Sequence, residues 1–167
     1  MPNVESIIQG NNKKKLCKDT PDLVNAPKCN CRDKTNCPLK GDCQQTNVIY
    51  QAKVTSDNKV ESYVGLASDF KQRHYNHKAS FNDYNKRYAT ELSKYIWKLK
   101  DNNKQFQIKW SILCKSKPYS NVTKRCDLCI SEKYYIICEP SLATLNKRNE
   151  LLSKCRHTSK FIIGNVT

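Results

Sequence analysis

Three groups of side chains have types and spacings suited to chemistry. Cys29, Cys31, Cys37 and Cys43 run as C-x-C-x5-C-x5-C, four soft ligands close in sequence that suit a tetrahedral structural Zn2+. Cys126 and Cys129, spaced C-x2-C, together with Cys155 and His157 form a second, Cys3His set. Between the two sets lies Tyr63-Val64-Gly65, followed by Arg73 and His77. On a helix these last two residues share a face, one turn apart.

The segments around these groups predict the elements that position them. Residues 29–43 hold Pro38 and Gly41 but almost no apolar residue, so something other than hydrophobic burial must hold them together. Residues 48–54 alternate apolar and polar as a half-buried strand does, residues 56–59 supply turn chemistry, and residues 60–65 form the returning strand of a hairpin. Ser68 or Asp69 can cap a helix running through Phe70, Arg73 and His77 to about Ser80. Thr90 opens a second helix, with Leu92, Ile96 and Leu99 at helical spacing and an end at residues 101–103. Phe106, Ile108, Trp110 and Ile112 alternate as a strand paired with the hairpin, and residues 126–137 read as a third helix stopped before Pro140. Residues 141–152 carry a shorter helical pattern led by Leu142, Leu145 and Leu151. The order predicts an α/β fold of the α+β kind, a small three-stranded antiparallel sheet flanked by helices with an N-terminal cysteine-rich zinc module. The expected organisation is a basic leader over 1–28, the zinc module over 29–46 and the main domain over 47–163.

Composition narrows the partner. Thirty Lys and Arg against fifteen Asp and Glu give a formal charge of +15, a self-repulsion that a polyanion relieves, and nucleic acid is the expected one. A membrane-surface protein would need an amphipathic helix with a bulky apolar face, and none is evident. Met1 to Gly10 has only Ile7 and Ile8 as an apolar pair, unlike an export signal, so ten cysteines point to metal ligation or free thiols in a reducing compartment rather than to disulfides. A secreted, disulfide-rich factor is disfavoured on the same ground. Cys17, Cys114 and Cys138 fall outside both sets and are expected as thiols.

Ile49-Tyr50 on the first strand and Tyr63-Val64-Gly65 on the second, with Arg73 and His77 after them, resemble the two halves of the GIY-YIG nuclease motif. Cys129-Ile130-Ser131-Glu132-Lys133 and Thr144-Leu145-Asn146-Lys147-Arg148 fit the family's later glutamate and asparagine. The resemblance narrows to the endonuclease domain of Penelope-like retroelements at Cys29-Asn30-Cys31-Arg32, Cys37-Pro38-Leu39, Thr90-Glu91-Leu92-Ser93 and Cys155-Arg156-His157, and covers residues 29–163. Val48 stands where the family has the glycine of GIY.

The resemblance implies a metal-dependent DNA endonuclease that nicks by phosphodiester hydrolysis, with Tyr50, Tyr63, Arg73, His77, Glu132 and Asn146 as its catalytic residues. Arg73 would stabilise transition-state charge and Glu132 would hold one Mg2+ or Mn2+, with Glu91 as its rival. Tyr50 would orient or deprotonate the attacking water, Tyr63 and His77 would bind phosphate or relay protons, and Asn146 would fix the geometry around Glu132. It also implies a nuclear, intracellular protein, a reverse transcriptase supplied in cis or in trans, and an origin inside a longer element protein. Taken singly, the same residues read as sheet packing, a solvated helix face, a surface carboxylate and a helix cap. The competing function is a zinc-stabilised nucleic-acid-binding protein that no longer cuts.

Overall fold

The computed structural model describes residues 28–147, Cys155 and His157. The expected leader, apart from Lys28, lies outside the described residues, as do Cys17 and most of the chain after Lys147.

Strands β1 (Thr46–Ser56) and β2 (Lys59–Asp69) form the expected hairpin, each extending beyond the alternating stretch. Ser56 pairs with Lys59 across a two-residue turn in which Asp57 has a positive φ, a conformation that aspartate tolerates better than most residues. Strand β3 (Gln107–Lys115) pairs antiparallel with β1, giving the order β2-β1-β3. The hairpin therefore presents β1, not β2, to the third strand. The register of β1 with β3 shifts between Ile49 and Tyr50, and such an irregularity re-aims the neighbouring side chains.

Helix α1 (Phe70–Asn82) starts directly from β2, with Asp69 accepting a hydrogen bond from Gln72 N–H at 2.9 Å. Helix α2 (Glu91–Asp101) is capped by Thr90, which accepts from Ser93 N–H at 3.0 Å. Glu91 in its first turn and Lys98 and Lys100 in its last suit the helix dipole. Ser80 and Ser93 join α1 to α2 through a buried hydroxyl pair at 2.6 Å. Helix α3 (Asp127–Cys138) follows β3, and its N-cap residue is Cys126.

The sheet is covered on both faces, which corrects the expected half-buried strand. Val48, Tyr50, Ala52 and Val54 of β1 pack with Phe70, Leu92, Ile96, Leu99 and Trp110 on the α1 and α2 side. Ile49 and Val64 pack with Cys114, Leu128 and Tyr135 on the α3 side. Val48 is fully buried, so the side chain in place of the family's glycine fills core. The cysteine-rich module is tied on: Leu39 packs against the first cluster, and Phe70 N–H donates to Gln45 O at 2.9 Å.

The helical pattern expected from residue 141 onward is not found in the described part of that segment. Pro140–Leu142 is a single 3-10 turn, and the chain then runs along the outer edge of β2. Leu145 N–H donates to Ser62 O at 2.9 Å, and Ser62 N–H donates to Thr144 Oγ1 at 2.8 Å. The Asn146 amide accepts from Val64 N–H and donates to Val64 O, both at 2.8 Å. An edge strand leaves backbone groups unpaired, and satisfying them here outweighs the local helical preference. Among the described residues no helix is long and apolar enough to cross a membrane.

Candidate active site and metal centres

Tyr50 lies in β1 directly opposite Gly65 of β2, and its side chain is fully buried. Its hydroxyl is the junction of the site. Arg73 Nε–H donates to the Tyr50 oxygen at 3.1 Å, and His77 Nε2 lies 2.7 Å away. Arg73 can only donate, so where His77 Nε2 is the acceptor of the phenol proton the imidazole carries its own proton on Nδ1. Burial, then the Arg73 charge, holds His77 down to about 3, which keeps it neutral and able to accept. Burial and the neighbouring Tyr63 push the Tyr50 phenol well above its ordinary range, and Arg73 only partly offsets them. Burial opposes the charge on Arg73, but the hydroxyls of Tyr50 and Tyr63 outweigh it and raise its pKa.

Tyr63, Arg73, Glu132 and Asn146 line one cleft of about 560 Å³. They come from β2, α1, α3 and the edge segment, so four of the six expected residues are brought together at the β2 side of the sheet. Tyr50 and His77 are not among the lining residues; they sit in the core, joined to the cleft through Arg73. A buried phenol with a raised pKa is badly placed to take a proton from water, so the water-activating role expected of Tyr50 has no geometric support. Of the pair Tyr50 and Tyr63, it is Tyr63 that reaches the cleft. Asn146 also reaches it, but with its amide oxygen and nitrogen both engaged by Val64.

Residue types alone did not single out Tyr88, Lys94, Lys133 and Lys147, which share the cleft. Glu91 lines it as well, with Lys94 Nζ at 2.6 Å from one oxygen and Lys147 Nζ at 3.4 Å from the other. The hydrogen bond from Lys94, reinforced by Lys147 against slight burial, lowers its pKa. Arg73, Lys94, Lys133 and Lys147 against Glu91 and Glu132 leave the cleft net positive. The signal for this wall was the Thr90-Glu91-Leu92-Ser93 segment, in which only Glu91 had an expected role, as the rival to Glu132 for the metal.

Both cysteine sets assemble. In each, the ligand atoms all lie within 4.8 Å of one another. In the first, Cys29 Sγ is 3.7 Å from Cys37 Sγ and 3.6 Å from Cys43 Sγ, and Cys31 Sγ is 3.5 Å from Cys43 Sγ. Sulfurs about 2.3 Å from a tetrahedral zinc stand about 3.8 Å apart, whereas a disulfide would need about 2.05 Å. In the second, Cys129 Sγ is 3.5 Å from Cys155 Sγ, and His157 Nδ1 is 3.5 Å from Cys126 Sγ and 3.3 Å from Cys129 Sγ. Backbone N–H groups of Cys31 and His157 donate to Cys29 Sγ and Cys155 Sγ, each at 3.3 Å. Burial opposes ionisation of Cys37, but the N–H groups of Gly41 and Leu39 bring it to about 7. Both groups could hold zinc. Of the cysteines outside them, Cys114 is buried and Cys138 exposed.

Comparison with protein-family models, with curated proteins and with solved structures finds no match to this chain. A functional reading therefore stands on the residues and their geometry.

Proposed function

We propose that the chain is a metal-dependent DNA endonuclease of the GIY-YIG type, akin to those of Penelope-like retroelements, that hydrolyses a phosphodiester and leaves a nick. The observation that carries the reading is the meeting of Tyr63, Arg73 and Glu132 in one positive cleft, over a Tyr50 hydroxyl bonded to both Arg73 and His77.

Phosphodiester hydrolysis gathers negative charge on nonbridging oxygens. Arg73 spends Nε on Tyr50, so its terminal nitrogens are the ones that would grip the phosphate, and Tyr50 fixes their direction. Neutral His77 holds the Tyr50 proton and so keeps the phenol oxygen as the acceptor for Arg73. Tyr63 would orient the attacking water from the cleft wall. Asn146 would act as a positioning residue, holding β2 at Val64 next to Tyr63 and Gly65. Glu132 is the carboxylate we assign to the divalent cation, on the motif resemblance and its place in the cleft beside Arg73, with Glu91, whose oxygens face Lys94 and Lys147, as its rival. One carboxylate plus substrate phosphate suits Mg2+, which keeps several waters. When bound, the cation supplies charge neutralisation at the leaving 3′ oxygen. Structural zinc in the two cysteine sets, nucleic acid as partner and a reverse transcriptase in cis or in trans complete the reading.

Nicking of supercoiled plasmid with Mg2+ or Mn2+ tests it. Wild type is expected to relax the plasmid, with Arg73→Ala and Glu132→Ala each slower by at least about a hundredfold, the usual cost of losing a preorganised charge partner. Plasmid that stays intact with wild type yet shifts on a gel would overturn the enzyme in favour of a binding protein.

A further inference from the structure

Beside the cleft, the loop between α1 and α2 carries a group of aromatic and cationic side chains to which the proposed cleavage chemistry gives no task. Tyr84 and Tyr88 are 58% and 64% exposed. The Arg87 guanidinium lies 4.5 Å from the centroid of each ring and donates to both hydroxyls. Trp97 of α2 meets Tyr84 edge-on, with centroids 5.6 Å apart and planes at 88°, and the Lys100 ammonium sits 4.8 Å over the indole.

The group is held rigidly from below. Asp83 accepts from Asn85 N–H at 3.0 Å to cap the Tyr84–Lys86 3-10 turn, and Trp97 Nε1–H donates to Ser80 O at 2.9 Å, tying the indole to α1. Exposed, pre-ordered aromatic rings among cations are what proteins use to bind unpaired bases. Each base offers a π face to stack on, and the cations take the backbone phosphates. A base inside a duplex offers no free face. Tyr88 is the member that also lines the cleft, together with Arg73, Lys94 and Lys147, and the chain charge of +15 favours a polyanion over a neutral partner.

We propose that this loop is a stacking platform for an unpaired DNA base, with Tyr88 as the contact nearest the cleft. Combined with the nuclease reading on which this clause rests, the substrate has a single-stranded nucleotide next to the scissile phosphate, as at a flap, a gap or a strand junction.

Fluorescence anisotropy of the full chain without added divalent cation tests the platform separately from cleavage. The probes are a labelled single-stranded DNA oligonucleotide and the same strand with abasic residues in its middle. Wild type should bind the abasic strand about 5- to 150-fold more weakly, the range that loss of base stacking gives. Tyr88→Ala should bind the intact strand more weakly by a similar factor and no longer distinguish the two strands, and Tyr88→Phe should behave as wild type. Tyr88 is exposed, so neither variant disturbs the core. Equal binding of both strands by wild type, or full affinity in Tyr88→Ala, would overturn the platform and leave a phosphate-only contact. If the platform holds but plasmid is never nicked, the nuclease reading alone fails.

Discussion

A Cβ on Gly65 would stand 2.5 Å from the Tyr50 hydroxyl oxygen and 3.0 Å from Tyr63 Cε1, closer than packed atoms tolerate. Gly65 is thus the floor on which the tyrosine pair rests, needed for its missing side chain rather than for an unusual φ. Gly65→Ala should destabilise the fold by about 1–3 kcal/mol, the usual cost of overpacking. It should also shift the Tyr50 hydroxyl away from Arg73 and His77. A lower urea midpoint together with slower plasmid nicking is the expected result, and unchanged values of both would show that Tyr50 is free to move. Which residues meet was legible in the sequence, because a tyrosine pair, Arg73 and His77 follow one another at strand and helix spacing. Their depth was not. Tyr50 is buried because α1 and Trp110 close over it, and an alternating strand pattern cannot say that helices will cover both faces of a sheet.

At the scale of elements, the start of α3 has no side-chain cap but lies in a group that could hold a metal. Cys126 occupies the N-cap and makes no side-chain cap hydrogen bond, and both it and Cys129 belong to the Cys3His set. Glu132 follows Cys129 by three residues, so a metal held there fixes the turn that delivers the carboxylate to the cleft. The other set lies far from α3 in sequence, in a module that Asn30 and Gln45 tie to Lys71 and Phe70. Cys129→Ser and Cys31→Ser should each lower the zinc content by one per chain when elemental analysis is made on the purified protein. Nicking should fall by about 10- to 100-fold in Cys129→Ser, as when a metal-site support is lost, and much less in Cys31→Ser. Equal rates in both variants would separate zinc from the placement of Glu132. Helix starts were legible because Asp69 and Thr90 cap locally. The fate of residues 141–147 was not, since Thr144, Leu145 and Asn146 take their partners from Ser62 and Val64, far away in sequence and invisible to a local helical pattern.

The whole molecule carries thirty basic side chains, and four of them, Arg73, Lys94, Lys133 and Lys147, line the cleft. Lysines and arginines that displace the counterions condensed on DNA phosphates make affinity fall with salt, by about 0.9 log units per log unit of salt for each phosphate neutralised. Four cleft cations therefore predict a slope of about −3.5 for duplex DNA in a potassium chloride titration without magnesium, steeper if lysines elsewhere join. Lys147 is the informative member, being exposed at the rim and paired only loosely with Glu91 at 3.4 Å. Lys147→Ala should make the slope shallower by about 1 and weaken all duplex sequences alike, because a phosphate contact carries no base identity. The same substitution should leave the discrimination between intact and abasic single strands unchanged, since that belongs to Tyr88. A wild-type slope near −1, or a Lys147→Ala variant with an unaltered slope, would mean that duplex DNA does not lie in this cleft, and the convergence of Arg73 and Glu132 would then serve another anion.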